Sequence, residues 1–123
     1  TRENARMPHT FTTVDAPGFD AAIDPGDDAL VVVYCWGPQC PNCELFAADA
    51  SDLLARLPEG PLRLLKIDVY DHDAIATRFG LFGIPAFLFF RRGRLLGRMS
   101  RYHSRAYWLA VVTEQMQAQP APR

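Results

Sequence analysis

A chain of 123 residues with 49% hydrophobic and 22% charged residues is long and apolar enough to close one core without disulfide staples or a structural metal, and global disorder is excluded. The net charge of −1 supplies no field toward nucleic acid or an anionic membrane, and the longest apolar runs, Ala29 to Trp36 and Ile84 to Phe90, fall far short of the roughly 20 residues that span a bilayer. Three cysteines cannot all pair within the chain, so a reducing compartment is expected.

Thr1 to Pro8 lacks a basic patch followed by an apolar stretch, so no signal peptide is visible. The expected location is the cytoplasm, with the periplasm as the alternative if an upstream signal has been removed. One domain is expected over residues 11–117, with 1–10 and 118–123 as flexible tails. Phe11 to Val14 is the candidate first strand. Asp15-Ala-Pro17-Gly18 predicts a helix start with Asp15 as cap and Pro17 in the first turn, and Phe19, Ala22 and Ile23 as its apolar face. Leu30 to Cys35 is apolar without alternation and rich in β-branched residues, the pattern of a strand buried on both faces at the centre of a sheet.

From Cys43, the residues Phe46, Ala50, Leu53, Leu54 and Leu57 form one helical stripe, stopped by Pro58-Glu-Gly60. Leu62 to Asp68 predicts the next strand and Asp71 to Phe79 a helix closed by Gly80. Pro85 opens a strand over Ala86 to Phe90, joined through Arg91-Arg-Gly93-Arg to Leu95 to Met99 as a hairpin. Ser104 caps a last helix with Trp108, Val111 and Val112 facing inward. The expected fold class is α/β: a central mixed sheet with helices on both faces.

Cys40-Pro41-Asn42-Cys43 sits where the buried strand gives way to a helix. Residues three apart share a helix face, so the two sulfurs can reach disulfide geometry, and Pro41 suits the first helical position. Unpaired N–H groups and the helix dipole favour a thiolate at Cys40, which makes it the nucleophile and Cys43 the resolving thiol. C-x-x-C is also a metal-ligand spacing, but zinc needs two further ligands, and Cys35, His72 and His103 are scattered. No metal and no cofactor is expected.

Trp36-Gly-Pro-Gln-Cys40-Pro-Asn-Cys43, Gly83-Ile84-Pro85 and Phe89-Phe90-Arg-Arg-Gly93 together resemble the thioredoxin family, in order and at similar spacing from about Phe11 to Met116. The resemblance implies the thioredoxin fold, a cis peptide bond before Pro85, and Ile84 main chain that docks an extended substrate beside the dithiol. It extends the candidate substrate-binding set to Trp36, Gln39, Pro41, Asn42, Ile84 and Pro85. The implied activity is thiol–disulfide exchange with disulfide-containing protein substrates, reductive in direction, with electrons from a partner reductase and a monomer as the working form. The chain departs from the family's pattern at Pro41-Asn42, Gln39, Tyr34, Leu64 and Ala48, read as standing where thioredoxin has Gly-Pro, a second Trp, a buried Asp, a Lys on the following strand and a helix-kinking Pro. Glu44 replaces a common Lys. Tyr34 is a poor proton acceptor at neutral pH, so disulfide reduction slower than thioredoxin's is expected. A disulfide oxidase or isomerase in an oxidising compartment, and a thioredoxin-fold binding or chaperone module with an idle dithiol, are the alternatives.

Other residues are read more plainly. Cys35, inside an apolar strand, is expected in the core. Trp36 is read equally as lining the site or as packing, Asp68 as a turn or capping residue, and His103 as a loop residue. The six arginines and no acid between Arg91 and Arg105 are read as a solvated hairpin with snorkelling side chains, with nucleic acid disfavoured for want of interleaved exposed aromatics.

Overall fold

The computed structural model describes residues 9–118. In chain order its elements are β1 (Phe11–Thr13), α1 (Phe19–Ile23), β2 (Leu30–Trp36), α2 (Pro41–Arg56), β3 (Leu62–Asp68), α3 (Asp73–Phe79), β4 (Ala86–Arg91), β5 (Arg94–Met99) and α4 (Arg105–Gln117). The expected tails lie, apart from residues 9, 10 and 118, outside the described residues. The strands form one mixed sheet in the order β1-β3-β2-β4-β5. β1 and β2 run parallel to β3, whereas β4 is antiparallel to β2 and β5 to β4.

The central position of β2 explains its composition. Every residue from Leu30 to Cys35 is buried, with Val31, Val33 and Cys35 in one core layer and Leu30, Val32 and Tyr34 in the other, as alternation along a strand requires. The first layer is covered by Phe19 and Ile23 of α1 and Ile75 of α3. The second is covered by Phe46 and Leu53 of α2 and Trp108 and Val112 of α4. The fold class expected from the sequence is therefore observed.

Two local expectations shift. The first helix begins at Phe19, not within Asp15 to Gly18. Ala16 precedes a proline, which pushes it out of helical conformation, and the Asp15 carboxylate accepts the Gly18 N–H at 2.8 Å to cap a tight turn ahead of the helix. The third helix starts at Asp73 rather than Asp71, because Asp68 Oδ1 takes the N–H groups of Tyr70 (2.9 Å) and Asp71 (3.2 Å) into a turn first. Gly80 closes α3 at φ 62°, the left-handed conformation that glycine adopts without a Cβ penalty. Arg92 and Gly93 both take positive φ in the β4–β5 turn, the hand that matches strand twist in two-residue hairpins.

The arginine-rich segment is used mainly as ties. Arg91 donates to the carbonyls of Asp28 (3.0 Å) and Gln115 (3.1 Å), Arg92 pairs with Asp28, and Arg98 donates to the Phe79 carbonyl at 2.6 Å. Arg105 reaches Asp49 and Asp52 of α2.

Candidate active site at the N-terminus of helix α2

β2 delivers the chain to the sheet's end and α2 starts at Pro41, leaving Cys40 as the N-cap in extended conformation (φ −121°, ψ 101°) with Pro41 in the first turn. The Cys40 sulfur accepts the N–H of Cys43 at 3.2 Å, and the Cys40 carbonyl takes the first intrahelical bond from Glu44 N–H at 3.0 Å. Thus Cys40 Sγ occupies the place of a capping oxygen, where a backbone donor and the positive helix end stabilise negative charge on sulfur. Cys40 and Cys43 are joined as a disulfide, with 5.2 Å between their Cα atoms. Exposure falls from 8% at Cys40 to 3% at Cys43, so an incoming sulfur meets Cys40 first.

The Ile84–Pro85 peptide bond is cis. The Ile84 carbonyl oxygen lies 3.7 Å from Cys40 Sγ, with Pro85 buried and Ile84 half-buried. Gln39, Pro41 and Asn42 are exposed around the disulfide, and Gln39 holds φ 55°, an uncommon left-handed conformation for a non-glycine residue. Trp36 is half-buried against the α2-side layer, with its indole N–H buried and without a partner among the described residues. Its placement is that of a packing residue beside the site.

Tyr34 lies on the α2 side of β2 and donates its hydroxyl to the Cys43 carbonyl at 3.3 Å. Its ring stacks on Phe87 (5.4 Å between centroids, 15°) and meets Phe46 edge-on (4.8 Å). Burial pushes the Tyr34 phenol up to about 12, so it stays protonated through the neutral range and offers no phenolate base there. The strand register sets Lys66, not Leu64, opposite Tyr34.

Cys35 is fully buried in the other core layer and is a free thiol. Burial pushes that thiol up to about 12 despite the opposing charge of Arg98. Neither His72 nor His103 approaches the disulfide cap in a ligand arrangement: His72 Nδ1 accepts the Ala16 N–H at 3.3 Å, and His103 packs edge-on to Tyr107. Among the described residues no three or more His, Cys, Asp or Glu side chains are grouped to hold a metal, and no helix is long and apolar enough to cross a membrane.

Three residues of the site are not evident from the sequence reading: Gly37, Tyr70 and Phe82. A Cβ on Gly37 would come within 2.8 Å of the Tyr70 ring and 3.0 Å of Ile84 Cδ1. The glycine therefore lets Tyr70 and Ile84 close over the strand end beside the cap. Tyr70 is itself 62% exposed, and Phe82, two residues before Ile84, is fully exposed. A glycine between a buried strand and a proline was the one available signal of close approach.

Comparison with known proteins agrees with this geometry. Residues 10–113 match the thioredoxin family model. A chloroplastic M5 thioredoxin of Oryza sativa subsp. japonica is 35% identical over 68 residues, 55% of this chain and 39% of that protein. Thioredoxin 1 of Nostoc sp. is 28% identical over 67 residues, 54% of this chain and 62% of that one. The chain thus spans between about two fifths and three fifths of the length of these relatives. Among solved structures, thioredoxin f of spinach chloroplast superposes with a TM-score of 0.77 at 17% identity, covering 92% of this chain and 98% of that one. With a family model matched over most of its length and the disulfide cap in place at the mouth of α2, this chain belongs to the thioredoxin family.

Proposed function

We propose that the protein exchanges the Cys40–Cys43 dithiol and disulfide with disulfides of other proteins, in the reducing direction. The Cys40 thiolate attacks one sulfur of a substrate disulfide, forming a Cys40–substrate S–S bond and releasing the other substrate sulfur as a thiolate. The Cys43 thiolate then attacks Cys40 Sγ, closing the intramolecular disulfide and expelling the second substrate thiolate, so two electrons pass to the substrate. A partner reductase restores the dithiol. The observation that carries this reading is a cysteine at a helix N-cap, its sulfur accepting a backbone N–H and bonded to the second cysteine one turn later. The odd cysteine count, with Cys35 sealed in the core, favours the reducing direction.

Mass-resolved alkylation of the three cysteines across a redox buffer series tests it. Cys40 and Cys43 are expected to oxidise together as one couple, with Cys35 outside it. A potential near about −270 mV supports the reductive reading, and one near about −180 mV supports an oxidase or isomerase. Failure of the two sulfurs to join under any oxidant overturns both.

A further inference from the structure

A groove of about 450 Å³, lined by Phe82, Gly83, Ala86, Arg98 and Ser100 among others, adjoins the Ile84–Pro85 segment through Gly83 and Ala86, the residues on either side of it in the chain. Ala86 belongs to the core layer opposite the one that α2 covers, so the dithiol and the groove flank the same stretch of main chain from its two sides. The space above Gly83 is open, because a Cβ there would meet nothing within 4 Å. Phe82 stands out of the surface as an apolar wall. Arg98 is held in place by one hydrogen bond to the Phe79 carbonyl, 2.6 Å long, and a guanidinium has five N–H donors, so the remaining ones are free to face an acceptor. Exposed Arg101 follows Ser100, and no acid occurs between Arg91 and Arg105.

We propose that this groove is a specificity subsite that selects substrate segments with a carboxylate side chain next to the reacting cysteine. The proposal rests on the exchange reaction described above. An extended segment laid along Ile84 points successive side chains to opposite sides. A substrate cysteine that faces Cys40 therefore turns its sequence neighbour toward the groove, where Arg98 meets the carboxylate and Phe82 covers the aliphatic stem. A positively charged neighbour meets Arg98 instead and is disfavoured. The pairing of a fixed cation with a mobile acid governs encounter and choice among substrates more than total affinity.

The test uses short peptides, each linked to its copy through one disulfide and differing only in whether Glu, Gln or Lys adjoins the cysteine. Their reduction by the reduced wild-type protein is normalised to reduction by dithiothreitol, which removes the intrinsic effect of the flanking charge on the disulfide. The expected order is Glu, Gln, Lys, with Glu about two- to fivefold faster than Lys at low ionic strength, the range of exposed ion pairs. The spread collapses in Arg98→Gln and persists in Arg92→Gln, where the lost charge lies at the hairpin turn. Equal normalised rates in the wild type, or a spread that survives Arg98→Gln, overturn the proposal. A second arm titrates cysteine-free versions of the Glu and Lys peptides into the oxidised protein and follows the amide signals of Gly83, Ala86 and Ser100. If no disulfide is reduced but the Glu peptide shifts these signals, the exchange reading falls and the subsite stands. If these amides do not respond, respond equally to the Lys peptide, or respond more strongly to a uridine oligonucleotide than to the Glu peptide, the subsite falls.

Discussion

Cys35, inside β2, and Cys40, at the cap of the helix that follows it, are five positions apart, yet the fold gives them opposite chemistry. Cys35 points into a layer of Val33, Ile67, Ala86 and Leu88, where burial outweighs the opposing charge of Arg98 and holds the thiol at about 12. Cys40 lies just past the strand, where the backbone has left the sheet and not yet completed a helical turn, so a main-chain N–H is available to its sulfur. Reactivity is therefore set by which unpaired backbone groups face the sulfur and not by the residue type.

The comparison can be broken at several points. The largest expected effect is on Cys40. Cys40→Ser lowers disulfide exchange at least about a thousandfold, because a hydroxyl is not ionised near neutral pH, while Cys43→Ser preserves the first attack and accumulates the mixed disulfide; quenched-flow sampling with mass detection separates the two. Gly37→Ala forces the exposed Tyr70 ring or the tip of Ile84 aside and is expected to slow exchange severalfold because Ile84 flanks Cys40, at a cost of about 1 kcal/mol or less in denaturant unfolding. Cys35→Ser should cost about 1–3 kcal/mol by burying a hydroxyl among apolar groups, yet leave the Cys40–Cys43 potential unchanged. Tyr34→Phe removes one buried hydrogen bond to the Cys43 carbonyl and is expected to cost about 1 kcal/mol, with a weaker hold on the first turn of α2.

The smallest effect is in alkali. The folded chain keeps the Cys35 thiol protonated up to about 12, whereas an unfolded thiol ionises near its ordinary 9.0. The unfolded chain therefore binds fewer protons in that window. The corresponding stability is complete below pH 9.0 and declines as the pH rises through it. Thermal melts at pH 7 and pH 10 are expected to show a larger drop for the wild type than for Cys35→Ala. An equal drop in the two proteins would mean that Cys35 ionises freely in the fold.

The sheet centre and the dithiol were legible because their signals are local. An unbroken β-branched run identifies β2, and a cysteine followed by proline at a strand-to-helix junction identifies the cap. The start of α1 was misread because a proline near a helix start has two meanings, first-turn residue or barrier to the residue before it, and local sequence does not choose between them. That Lys66 stands opposite Tyr34 is not legible locally, because pairing between β2 and β3 is set by packing across 31 intervening positions, where a two-residue slip preserves which face each side chain takes. The contact of Tyr70 with Gly37 is likewise nonlocal: a glycine between the strand and Pro38 signals a close approach but does not say that Tyr70 makes it.

The central claim is that backbone groups at the mouth of α2 make Cys40 the reactive sulfur. The most direct measurement is the rate of iodoacetamide alkylation of each cysteine in the reduced, folded protein at pH 7, resolved by mass spectrometry. The account predicts that Cys40 reacts at least about a hundredfold faster than Cys35, with Cys43 between them or silent. Comparable rates at Cys40 and Cys35, or Cys43 reacting first, would contradict it.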